Sequence, residues 1–202
     1  MEEKENELRE RAYRIACDHG WHDERYPDTH WVMMIITEIA EAVQADRKNK
    51  HADRDQYVHL MYYAMSEDLL EDEMKTQYET EAFENLIKDT YEDELADICI
   101  RCYDFAGLLN YDFGDIDEND RDTLMGIKQG DYDEFLNLPV PQFMCYIIHL
   151  LDTTYTADFD MIRFALYMIA EYAAKNNIPL LWYIEEKMKY NEKRTYKHGC
   201  KY

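Results

Sequence analysis

Between Trp31 and Arg47 the chain reads WVMMIITEIAEAVQADR, and from Trp31 to Val43 its only charges are Glu38 and Glu41. An apolar run of this length and texture predicts a buried helix. Three residues apart on a helix places both carboxylates on one face, and an unpaired charge in an apolar interior costs several kcal/mol. The pair must therefore hold protons, meet Lys or Arg, or coordinate a hard cation. A fold for this chain must bring something to that face.

The 202 residues suffice for one domain with a sizeable core, and no linker divides residues 1–202. With 47% hydrophobic and 14% aromatic residues the chain is too apolar to stay disordered. Its net charge of -22 argues against non-specific binding to nucleic acid or to an anionic membrane surface. The N-terminus is charged from its second residue, and no apolar run approaches the roughly 20 residues that a membrane span needs. A cytoplasmic protein is expected. Its five cysteines then default to reduced thiols.

Local signals divide the chain into helices. Glu2 to His19 carries Leu8, Ala12, Ile15 and Ala16 on one side, with Gly20 as its stop. Asp28 follows Pro27 and is a good N-cap for the helix through Trp31, which ends at DRKNK. The stretch from His51 to Phe83 predicts one or two helices. Asp89 or Thr90 caps a helix running to about Leu109, with Glu92, Asp93 and Glu94 suiting its positive end. NYDFGDIDENDRD reads as a loop and Leu124 to Leu138 as a short amphipathic piece. Pro141, Asp158 and Pro179 then punctuate three closing helices. Sustained two-residue alternation is absent, so the fold class is an all-α helical bundle.

The helix in YEDELADICIRCYDFAGLL carries a polar stripe at Glu94, Asp97, Arg101 and Asp104, spaced three, four and three, hence one face. A solvated stripe with an Asp97–Arg101 ion pair is the bland explanation. If this helix packs antiparallel to the first acidic one, Glu38, Glu41, Glu94 and Asp97 converge, and their repulsion becomes affinity for a cation. Oxygen ligands from side chains with positions left for water and phosphate describe a Mg2+ or Mn2+ site. Arg101 is the alternative partner: reaching Glu38 or Glu41, it would turn part of this site into a salt-bridge network.

The E-x-x-E of TEIAEAVQADR and the E-x-x-D of DELADICIR resemble the MazG-like all-α nucleoside triphosphate pyrophosphohydrolases, and the likeness extends to K-x-x-x-N-x-x-R in KMKYNEKR. The resemblance covers the first 47 residues, Asp89 to Leu109 and the tail. It implies a single MazG-like helical domain with Mg2+ held by Glu38, Glu41, Glu94 and Asp97. It also implies phosphate contacts from Lys187, Asn191 and Arg194, and a homo-oligomer, dimer or tetramer. The activity implied is Mg2+-dependent cleavage of a nucleoside triphosphate between its α and β phosphates, serving nucleotide-pool housecleaning. Family members usually join the acidic helices by a short connection, whereas here a helical insertion at about 48–88 intervenes. Glu38 and Glu41 are both candidates to orient or deprotonate the attacking water.

The tail also reads on its own. Lys187, Lys189, Lys193, Arg194, Lys197 and Lys201 make the one concentrated positive patch, with Lys187, Asn191 and Arg194 spaced for one helical face. Ammonium and guanidinium groups suit phosphate oxygens, although cations also favour any helix C-terminus. Other signals are weak. Cys99 and Cys102 lie in an apolar helix as core thiols, and Asp115, Asp117 and Asn119 start a calcium loop that Asp120 and Gly126 fail to complete. The seven histidines show no metal spacing, and Trp21, Trp31 and Tyr103 fit a core better than a base stack. The rival class is a non-enzymatic acidic interaction protein or nucleic-acid mimic. A di-iron bundle would need Glu-x-x-His, which is absent.

Overall fold

The computed structural model describes residues 2–66, 72–114, 132–152 and 159–196. These form helices and the turns between them, with no strand among the described residues. In chain order the helices are α1 (Glu2–Asp18), α2 (Asp28–Arg47), α3 (Arg54–Ser66), α4 (Asp72–Leu86) and α5 (Tyr91–Leu108). They continue as α6 (Tyr132–Leu136), α7 (Val140–Asp152), α8 (Phe159–Lys175) and α9 (Leu180–Glu192). None of these helices is long and apolar enough to cross a membrane.

Helix α5 is the hub, packed against α1, α2, α8 and α9. Leu95, Ala96, Ile98, Cys99 and Cys102 are solvent-free on its faces, which explains why its sequence is apolar around most of its circumference. Helix α2 supplies Trp31, Ile35, Ile39 and Ala42 at helical spacing to the same core. A fully buried Ile or Leu contributes about 1.5–3 kcal/mol relative to leaving it exposed.

Helices α2 and α5 run antiparallel. The Tyr91 N–H donates to the Lys50 carbonyl at 2.9 Å, joining the end of α2 to the start of α5. At the other end His22, just before α2, lies 2.7 Å from Asp104 near the close of α5. Between α2 and α5 the chain forms α3 and α4, which pack on each other as a hairpin.

Gly20 ends α1 with φ +78°, and the Trp21 N–H closes the terminus onto the Ala16 carbonyl. Thr90, not Asp89, caps α5: its side chain accepts from the Asp93 N–H, while Asp89 takes φ +57° and donates its own N–H to Asp93 Oδ2. The start of α2 differs from expectation. Pro27 occupies the cap position without a side-chain bond and Asp28 is the first helical residue, where its charge still faces the positive end of the helix dipole. The expected cap Asp158, the calcium-like residues 115–126, most of the piece at 124–138, and Lys197 and Lys201 lie outside the described residues.

Candidate metal centre

One face of α2 and the first turn of α5 meet over a patch of carboxylates. Glu38, Glu41 and Glu94 each offer an oxygen, and these atoms all lie within 4.8 Å of one another. Glu41 is exposed, Glu38 is partly buried, and Glu94 is only 3% exposed. The cluster therefore has one open side and one closed side.

The electrostatics match that asymmetry. Burial, then the charge of Asp97, pushes the Glu94 carboxyl up to about 9. The same two causes raise Glu38, while Arg101 opposes them. Glu94 Oε2 is buried and meets no hydrogen-bond donor among the described residues. An oxygen in that state holds a proton or faces a cation, because leaving an ionised carboxylate buried and unmatched is too costly. Three carboxylates with one side open to solvent could hold a hard divalent ion that keeps part of its water shell.

Around the cluster, charge is neutralised by side chains. Arg101 Nε donates to Glu38 Oε1 at 2.9 Å, so one expected ligand is shared with a guanidinium. The Asp97–Arg101 pair along α5 does not form; each residue turns to another helix. Asp97 meets Lys187 Nζ at 2.6 Å, and the same ammonium donates to Asp93 Oδ2 at 2.7 Å. Lys187 is 5% exposed and Asp93 is solvent-free. The two carboxylates raise the ammonium well above its ordinary value although burial works against its charge. Burial raises Asp93 in spite of the lysine.

Glu38, Glu41 and Glu94 are thus brought together, and Asp97 sits beside them with its charge engaged by Lys187. Lys187 is a buried clamp between two α5 aspartates and not an open cation. Asn191 follows one turn later on α9, with Oδ1 buried and without a hydrogen-bond partner among the described residues. Arg194 departs from the expected helical face: α9 ends at Glu192 with Lys193 as C-cap, so Arg194 lies in the turn beyond. Its guanidinium lies 5.8 Å from the Tyr190 ring centroid, and its carbonyl lies 2.8 Å from His19 Nε2.

Three interactions are not foreseen from the sequence. Asp93 was read only as a charge suited to a helix N-terminus, yet its i,i+4 spacing to Asp97 is the signal for a shared partner. His22 and Asp104 form a buried pair, with His22 also against the rings of Tyr13 and Trp31 at 4.9 and 4.6 Å. Glu92 accepts from the Ala52 N–H at 2.9 Å and meets His51 Nδ1 at the same distance, tying the chain after α2 to α5. The His22–Asp104 and His51–Glu92 partners are separated by tens of residues, and no local pattern announces them.

Comparison with known proteins yields no relative: no family model matches the sequence, and no curated protein and no solved structure is similar to it.

Proposed function

We propose that the protein is a divalent-cation-dependent nucleoside triphosphate pyrophosphohydrolase of the MazG-like kind, cleaving the α–β phosphoanhydride to release nucleoside monophosphate and pyrophosphate. The observation that carries this reading is the convergence of Glu38, Glu41 and Glu94, with the buried Glu94 Oε2 left without a donor among the described residues. Glu38, Glu41 and Glu94 would hold the ion, with Asp97 adjacent. When bound, Mg2+ (or Mn2+) polarises the phosphate and lowers the pKa of an attacking water.

The chain's own residues do the rest. Glu41, exposed at the open side, accepts the proton of the incoming water, or Glu38 does so with its second oxygen. Arg101 fixes the orientation of Glu38. Lys187 serves in this reading by fixing Asp97 and keeping Asp93 neutralised, which leaves Asn191 and Arg194 as the tail side chains for phosphate. Dimeric or tetrameric assembly, a cytoplasmic setting and nucleotide-pool housecleaning belong to the same proposal.

A panel of nucleoside triphosphates incubated with Mg2+ tests it. Pyrophosphate and monophosphate should appear, and Glu38→Ala should abolish them. Absence of pyrophosphate from every nucleotide, with Mg2+ leaving the melting temperature unchanged, would favour an acidic interaction protein instead.

A further inference from the structure

Among the described residues two cations contact the carboxylates Glu38, Glu41, Glu94 and Asp97: Lys187 through Asp97, and Arg101 through Glu38. They differ in what they have left to offer. Lys187 is buried, with its ammonium held between Asp93 and Asp97. Arg101 lies two turns after Glu94 and one after Asp97, on the same face of α5, and its side chain is 30% exposed. Its guanidinium donates from Nε to Glu38 Oε1 at 2.9 Å, whereas Nη1 and Nη2 donate to no group among the described residues.

The guanidinium is held from two sides. Glu38 takes its Nε edge, and the ring of Trp21, in the turn before α2, has its centroid 5.9 Å from the central carbon. A cation within about 6 Å of an aromatic centroid is attracted to the ring face. The two amino groups are therefore presented as a fixed planar pair, and such a pair matches two oxygens of one phosphate group. Charge argues the same way. Three ionised carboxylates around one divalent ion leave a net negative site that repels an anion, and the Arg101 charge cancels that excess.

We propose that Arg101 binds a phosphate group of the substrate beside the carboxylate cluster, through the two amino groups that Glu38 leaves open. The proposal rests on the metal-centre reading above and moves the principal phosphate contact from the C-terminal tail to α5. It gives Arg101 two opposed effects: its charge competes with the ion for Glu38, and it recruits the anion.

Those opposed effects make the test. Mn2+ affinity is measured by electron paramagnetic resonance on the wild type, Arg101→Gln and Arg101→Lys, each checked for folding by its thermal melt. Methyl phosphate, a phosphate monoester, is then titrated into each Mn2+-loaded protein, and broadening of its phosphorus NMR line reads a phosphate beside the ion. The wild type should broaden the line saturably, and acetate at equal concentration should not displace the phosphate. Arg101→Gln, which can still donate to Glu38, should hold Mn2+ at least as tightly as the wild type and bind methyl phosphate roughly tenfold more weakly or worse. Arg101→Lys, with the charge but not the planar pair, should fall between them. A residue that only oriented Glu38 would weaken Mn2+ binding when replaced, so weaker Mn2+ binding by Arg101→Gln overturns the proposal. So does unchanged phosphate affinity in that variant, displacement by acetate, or a Mn2+-loaded wild type that binds no phosphate. A wild type that binds no Mn2+ overturns the metal-centre reading itself, and this proposal with it.

Discussion

Replacing Lys187 with Met removes the charge that two buried aspartates share and keeps most of the side-chain volume. In the wild type the ammonium makes charge-assisted bonds at 2.7 Å to Asp93 and 2.6 Å to Asp97. Asp97, 18% exposed by side chain, can turn toward water, whereas Asp93, 1% exposed, cannot. The cost is therefore close to that of one uncompensated buried charge, about 3–5 kcal/mol. It depends on pH. Asp93 is already raised in the folded wild type, and loss of the lysine raises it further. A carboxyl whose folded pKa exceeds its unfolded value binds more protons when folded, so stability falls as pH rises from the unfolded to the folded pKa. Lys187→Met should thus be mildly destabilised at about pH 5 and lose the full amount at about pH 8.5, and adding Asp93→Asn should recover much of the loss. Urea unfolding at both pH values measures this. Stability of Lys187→Met within about 1 kcal/mol of wild type at the higher pH would refute the argument that Lys187 is a structural clamp.

Three further outcomes follow from the same geometry. Since Glu94 is raised to about 9, a divalent ion must displace its proton. Mg2+ should therefore stabilise the protein more as pH rises from about 6 to about 9, and calorimetry in buffers of different ionisation enthalpy should register proton release. Gly20→Ala places a side chain at φ +78° and a Cβ 2.1 Å from the Tyr196 ring, so it should cost about 1–2 kcal/mol from the backbone alone, read as a lower melting temperature. Ile35→Ala, at a solvent-free position on α2, should cost about 2–5 kcal/mol in denaturant unfolding without changing Mg2+ affinity.

Most helices were legible because their signals are local. The apolar spacing of Trp31, Ile35 and Ile39 reported a buried face, and Thr90 and Gly20 act through the residues beside them. The meeting of α2 and α5 was legible for a different reason: two carboxylate pairs on apolar helices are tolerable only if they share a solution. Pro27 and Asp28 show the limit of local signals, since a good capping side chain one residue inside the helix makes no cap bond. The partners inside the candidate site were less legible. The spacing of Lys187 to Asn191 and Arg194, together with the family resemblance, points to an open phosphate-binding cation, whereas its burial depends on α9 packing against α5. Spacing along α5 permits an Asp97–Arg101 pair, but Asp97 pairs with Lys187 of α9, and Arg101 takes the alternative partner legible in the sequence, Glu38 of α2.

The most direct test of the candidate centre is Mn2+ binding measured by electron paramagnetic resonance on the wild type and on Glu41→Gln. Glu41 is exposed, so the substitution removes a ligand charge at little cost to folding. Saturable loss of the free Mn2+ signal is expected for the wild type, with affinity weakened roughly tenfold or more in the variant. A wild type that leaves the signal untouched, or a variant that binds Mn2+ as well as the wild type does, would contradict the assignment of Glu38, Glu41 and Glu94 as a metal centre.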